Sequence, residues 1–131
     1  MVRLVSARDG AGRGTVRGSA SRMFQVVFYE TASGNPVVLD FIRSFEAEDR
    51  RVIGADLSAV QIGFPIGPPL CDHLQGPLWE VRSSLPSRRE VRLIFFQQDH
   101  RLVVVHGFVK KVQKTPRKDL DLADRRRREF L

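Results

Sequence analysis

One cysteine, one tyrosine and one tryptophan among 131 residues leave little material for several kinds of chemistry. With Cys71 alone, no intramolecular disulfide can form and a cysteine-based zinc site is implausible, so a reducing compartment fits best. Long apolar runs are missing too. The run LVVV at 102–105 falls far short of the ~20 residues a membrane span needs, and the N-terminus has no apolar core of a secretory signal. Cytoplasm is the economical expectation. No glycine-rich phosphate loop joins a strand to a helix, because GAGRG at 10–14 lies in a segment without regular pattern and lacks the lysine context. His73, His100 and His106 form no helical zinc pair, and no serine occupies a nucleophile elbow. No cofactor and no metal are implied.

What the chain does have is positive charge, unevenly placed. The formal charge is +7, which suggests a polyanionic partner but says nothing by itself about fold. Residues 1–22 hold five arginines against one aspartate, net +4; residues 23–81 hold three cations against eight carboxylates, net −5; residues 82–131 hold fourteen against six, net +8. The first segment has four glycines, three serines and no apolar period, so it cannot offset the entropy of ordering its backbone. It is expected to be a disordered basic tail, with Met23 as the native start and 23–131 as one domain. A chain of this size buries roughly two-thirds of its unfolded surface, enough for a single core.

Within 23–131 the pattern is β-α-α-β-β-β-α, an α+β domain. MFQVVFY at 23–29 predicts a strand, and TASGNP a turn in which Asn35 caps a helix with Pro36 at its first position. Val38, Phe41, Ile42 and Phe45 then follow the spacing of one helix face, as do Ile53, Leu57 and Val60 in a second helix over 46–62. This helical hairpin is expected to pack on the sheet. FPIGPPLCDHL reads as a proline-rich connector. LWEVRSS, REVRLIFFQQ and RLVVVHGFVKK follow as three strands, joined by segments short enough for hairpins, hence an antiparallel meander. Thr115 and Pro116 predict the cap and first position of a C-terminal helix, with Leu120, Ala123, Arg127 and Phe130 or Leu131 along one side.

The candidates for chemistry are cations on this scaffold. Arg92 is flanked by Val91 and Leu93 inside a strand, and Arg82 ends the strand before it. A buried arginine keeps its charge and needs an anion: either a carboxylate, with Glu80, Glu90 and Asp99 in reach, or a bound phosphate, whose oxygens suit two planar guanidinium forks. Lys110, Lys111 and Lys114 crowd a strand exit, either as a solvated basic turn or as an anion site beside helix N–H groups. His106 alternates with Val104 and Phe108, and reads equally as a satisfied core histidine or a proton carrier. His100 falls in a turn, and His73 in the connector is uninformative alone.

Read together, GPLWEVR at 76–82, VRLIFF at 91–96 and VVHGFVKKVQKTP at 104–116, after the helical hairpin, resemble the HigB-like toxins of the RelE/ParE superfamily. There a GLYELR-type strand, an RVFYFF-type strand and an LLHGFVKKTQKTP-type passage follow in this order. The resemblance covers roughly residues 23–131. It implies a RelE-like fold and the toxin of a type II toxin–antitoxin system. The implied activity is an mRNA endoribonuclease, metal-independent and translation-dependent, neutralised by a HigA-like helix-turn-helix antitoxin. By that resemblance Arg82 and Arg92 match the strand arginines that contact the scissile phosphate, Lys110 and Lys111 match basic positions near the site, and His106 matches the family's histidine; Arg92, Arg82, His106 and Lys110 are therefore expected to be catalytic, and Lys111, Lys114, His73 and Arg89 to bind RNA. The chain departs from the RelE pattern of several lysines and a C-terminal tyrosine: its one tyrosine is Tyr29, and Glu80 stands where some relatives place a lysine. Two other functions stay open. One is a ParE-like topoisomerase inhibitor on the same fold; the other is a non-catalytic RNA-binding module, although Trp79 and Phe108 read as core rather than as stacking residues.

Overall fold

The computed structural model describes residues 23–131, together with the backbone of Val5 and Ser6. The expectation of a disordered tail otherwise lies outside the described residues. Among the described residues six strands form one sheet: β1 (Val5–Ser6), β2 (Gln25–Phe28), β3 (Cys71–Gln75), β4 (Leu78–Ser84), β5 (Glu90–Gln98) and β6 (Arg101–Val109). Their spatial order is β1-β2-β6-β5-β4-β3. β3 to β6 are an antiparallel meander, as the hairpin-length joints imply, and β2 returns to pair in parallel with β6. Among the described residues three helices complete the α+β fold: α1 (Val37–Arg43), α2 (Ala47–Gly63) and α3 (Arg117–Phe130).

Strand periodicity decides what faces what. Successive residues of a strand point to opposite faces, and two neighbours on β5 make this visible. Phe95 meets Phe64, just past α2, at 5.4 Å between ring centroids, while Phe96 meets Phe130 of α3 at 6.0 Å. The helical hairpin α1–α2 therefore covers one face and α3 the other. That explains why Val26, Val27 and Phe28 of β2 and Leu102 to Val105 of β6 run apolar without alternating, all 2% exposed or less. Burying both faces of the central strands is the main source of stability.

Three local expectations are revised. The proline-rich connector contains a fourth meander strand, β3, whose register with β4 shifts between His73 and Gln75. As an edge strand with one half-exposed face it carries Asp72, His73 and Gln75, residues that seldom signal a strand. The helix starts use Pro36 and Pro116 as caps, with no side-chain capping bond; Asn35 and Thr115 are occupied elsewhere. Finally, β6 contains a bulge. Ile94 pairs with His106 but Phe95 pairs with Val104, so the ladder skips Val105. His106 thus shares a face with Phe108 and Arg92 but not with Val104.

The close approach of α1 to the sheet sets one strict condition. A Cβ at Gly107 would lie 2.6 Å from the Phe41 ring and 2.8 Å from Leu93, distances no real side chain tolerates. Gly107→Ala is expected to cost about 1–3 kcal/mol through overpacking, read as a lower urea midpoint with an unchanged m-value.

Candidate functional site

WEVR, residues 79–82, places Glu80 and Arg82 two apart on one strand and so on the same face. Arg92 lies directly opposite Arg82 across the β4–β5 ladder. Two like charges so placed repel, and the structure answers with a carboxylate between them. Glu80 Oε2 accepts from Arg82 Nε at 3.0 Å and lies 3.7 Å from Arg92 Nε, while Oε1 accepts from Thr115 Oγ1 at 2.9 Å. The Glu80 side chain is 3% exposed, Arg92 8% and Arg82 32%. Arg82 also donates to Asp72 Oδ2 at 2.8 Å, and Arg92 Nη1 lies 3.5 Å from Glu90 and donates to the Val91 carbonyl at 3.3 Å. The anions that the buried Arg92 and the half-buried Arg82 need are thus supplied by Glu80 and Glu90, with Asp72 in place of Asp99.

Two grooves meet at Arg82. One, of about 630 Å³, runs between β3 and the β6–α3 connection and is lined by Asp72, His73, Gln75, Lys114, Thr115 and Arg117 among others. The second, of about 480 Å³, contains Arg92, Glu90, Ser84 and Asp56. Burial raises the Asp56 carboxyl above its ordinary range, partly countered by the 2.7 Å bond from Ser83. Arginine forks offer five N–H donors each, more than these internal bonds occupy, which leaves uncommitted donors on both side chains. Among the described residues no three His, Cys, Asp or Glu side chains cluster closely enough to hold a metal ion.

The remaining sequence-derived candidates divide. Lys114 lines the first groove beside Arg82. Lys110 and Lys111 begin the same connection, Lys110 fixed by its backbone N–H to the Glu90 carbonyl at 2.7 Å. No ion pair or hydrogen bond holds these three lysine side chains among the described residues. His73 borders the groove, its Nε2 2.7 Å from the Gly76 carbonyl and its ring against Trp79. Arg89 is not part of this cluster. It pairs with Asp49 of α2 at 3.3 Å and stacks over Phe45, fastening the β4–β5 turn to the hairpin layer. Ser87 and then Arg89 hold Asp49 below the usual carboxylate range by hydrogen bonding.

His106 lines neither groove. Its Nε2 lies 2.7 Å from Asp119 Oδ1 at the start of α3 and its ring stacks on Phe108. Burial depresses its pKa, opposed by Asp119, which favours the charged ring. Reading the sequence missed the partners that hold α3 in place: Asp119, and Arg126, which donates to the carbonyl of the bulged Val105 at 2.9 Å. It also missed Glu129, which accepts from the Tyr29 hydroxyl, so the sole tyrosine is tied to the far end of α3. For the centre itself the sequence offered the two arginines on successive strands and the i, i+2 spacing of Glu80 and Arg82.

The His106 environment has a pH signature. Because the folded pKa lies below the ordinary 6.5, the unfolded chain binds the proton more readily. Stability from the neutral ring is therefore fully present above that value and is lost as pH falls through it toward the depressed folded pKa. The urea midpoint of the wild type is expected to drop more steeply over this window than that of His106→Gln, measured side by side.

The family model described as "Phage derived protein Gp49-like (DUF891)" matches residues 40–128, a span that contains the two arginines, Glu80 and Thr115. No curated protein matches the chain. The match runs from α1 nearly to the end of α3, and takes in the sheet face and connection that build the site. The chain belongs to the phage-derived Gp49-like family, a family of RelE/HigB-like toxins of toxin–antitoxin systems.

Proposed function

We propose that this RelE-type toxin is an mRNA endoribonuclease acting on translated message, held in check by a HigA-like helix-turn-helix antitoxin. Family membership supplies the toxin class and implies an antitoxin partner. The observation that carries the nuclease reading is the arginine pair: Arg82 and Arg92, opposite one another on adjacent strands, fixed by a buried carboxylate and opening on two grooves.

The reaction is attack of an RNA 2′-oxygen on the adjacent phosphorus, with transfer of the 2′-proton to a water molecule and cleavage of the P–O5′ bond. The 5′-oxygen takes up a proton, and the products are a 2′,3′-cyclic phosphate and a 5′-hydroxyl. No metal enters these steps. Negative charge accumulates on the non-bridging oxygens, and oriented donors in a partly dry site stabilise it better than water does. Arg92, buried, and Arg82, shared by both grooves, take that role. Lys114, Lys110 and Lys111 meet flanking phosphates, and a lysine protonates the leaving oxygen. His106, bonded to Asp119, holds the strand exit to α3, and that connection carries Lys114 and Thr115.

A RelE-like fold also suits a toxin that binds a topoisomerase and cleaves nothing. Inducing the full chain in bacteria separates the two. Wild type is expected to stop growth and create new 5′-hydroxyl ends inside coding sequences; Arg92→Ala, shown folded by circular dichroism, is expected to lose about 10²-fold or more in cleavage. Growth arrest with intact mRNA would replace the nuclease reading with the topoisomerase one. A folded Arg92→Ala with full cleavage would remove Arg92 from the mechanism.

A further inference from the structure

Glu80 is the least exposed charged group at the site, with a side chain 3% exposed, yet it is an acid in the centre of what should receive an anion. A carboxylate there weakens the field on an incoming phosphate. Its presence therefore needs a gain that outweighs this, and the geometry names one. Both arginines approach the same oxygen, Oε2, at 3.0 and 3.7 Å through their Nε atoms, and the other oxygen is bonded to Thr115 on the connection that carries Lys114. A single buried group thus sets the rotation of two guanidinium planes and the position of the segment that closes the groove.

We propose that Glu80 is a positioning residue for the arginine pair, an internal counter-anion that holds both forks in one orientation with their outer N–H groups turned to the substrate phosphate. The proposal rests on the nuclease reading. The Nε edges are committed inward, so substrate meets forks whose direction is already set, and no reorganisation is required as charge develops on the phosphorus. The second bond, through Thr115, links this orientation to the β6–α3 connection, so that Lys114 and Arg82 approach one phosphodiester track together. Without Glu80 the two cations separate by mutual repulsion while each becomes a stronger site for phosphate.

These two consequences have opposite signs, which makes the role distinguishable from a structural one. Glu80→Gln keeps the shape and removes the charge. Its turnover on a message carried by translating ribosomes is expected to fall by about 10²-fold, the scale of a small misplacement of catalytic groups. The affinity of the protein for an oligonucleotide of that message made non-cleavable with 2′-deoxyribose should rise several-fold at low salt. The salt dependence of binding should steepen, by roughly 0.7 in the log–log slope for each additional phosphate that the freed cations neutralise. A merely structural residue would lower turnover and affinity together. Folded Glu80→Gln with turnover within twofold of wild type overturns the proposal, and so does a parallel loss of affinity. Should Glu80→Gln fail to fold, Glu80→Asp keeps the charge and shortens the reach by one methylene. Turnover should then fall with affinity unchanged, and full turnover in folded Glu80→Asp overturns the proposal equally. A wild type that cleaves no RNA would instead overturn the nuclease reading on which the proposal stands.

Discussion

A carboxylate with almost no access to water, flanked by two arginines that face each other across a ladder, cannot exist alone, and neither can they. Removing Glu80 takes from both arginines the acceptor they share, and removing either arginine leaves the buried carboxylate with one cation in place of two, a costly change in a region of low dielectric. The surrounding structure is arranged around that mutual dependence. β4 and β5 bring the arginines into register, the spacing of WEVR puts the acid on their face, and the connection after β6 supplies the Thr115 hydroxyl that satisfies the second oxygen. Asp72 on the edge strand and Glu90 at the start of β5 take up the remaining charge.

The helix α3 sits over this face for reasons that begin one strand away. β6 carries its apolar run between the two helical layers and, further along, delivers His106 and Phe108 to the α3 side. An unbroken alternation would place Val104 and His106 together; the bulge at Val105 separates them. The carbonyl of Val105 accepts from Arg126, and His106 is bonded to Asp119. Both partners come from α3. The bulge therefore re-aims the strand and also furnishes two anchor points for the helix whose preceding segment closes the groove.

Much of the fold was legible from the chain because it rests on period. The two helix stripes, the three long meander strands and their short joints all follow from apolar spacing, and each appears where spacing puts it. What escaped was decided by tertiary context. CDHLQ has too few apolar residues to announce a strand, and becomes one only because β4 offers a partner. Thr115 looks like a cap by position, but the helix is capped at Pro116 and the Thr115 hydroxyl donates to the buried Glu80 carboxylate. The bulge leaves no mark in RLVVVHGFV. At the site, the pairing of Arg82 with Arg92 could be anticipated from adjacent strands. The departure of Arg89 to Asp49 could not, since one turn residue at φ 69, Arg88, determines which way its neighbour points.

The distribution of cations now has a physical logic that net charge alone conceals. Arg125, Arg127 and Arg128 on α3 are paired with Glu129 or Asp124, and Arg117 lies 3.9 Å from Asp121; such exposed pairs contribute little stability but quench the field of the basic run. Arg82 and Arg92 are likewise engaged. The lysines of the β6–α3 connection are not held in such pairs among the described residues, so the long-range attraction of this face for a polyanion comes mainly from them. Lysine is a flexible, well-hydrated point charge suited to that task, whereas a planar guanidinium gains most when its direction is fixed. On the nuclease reading the two cation types divide the work: lysines draw the backbone of the RNA to the groove, and arginines held by Glu80 act on one phosphate within it.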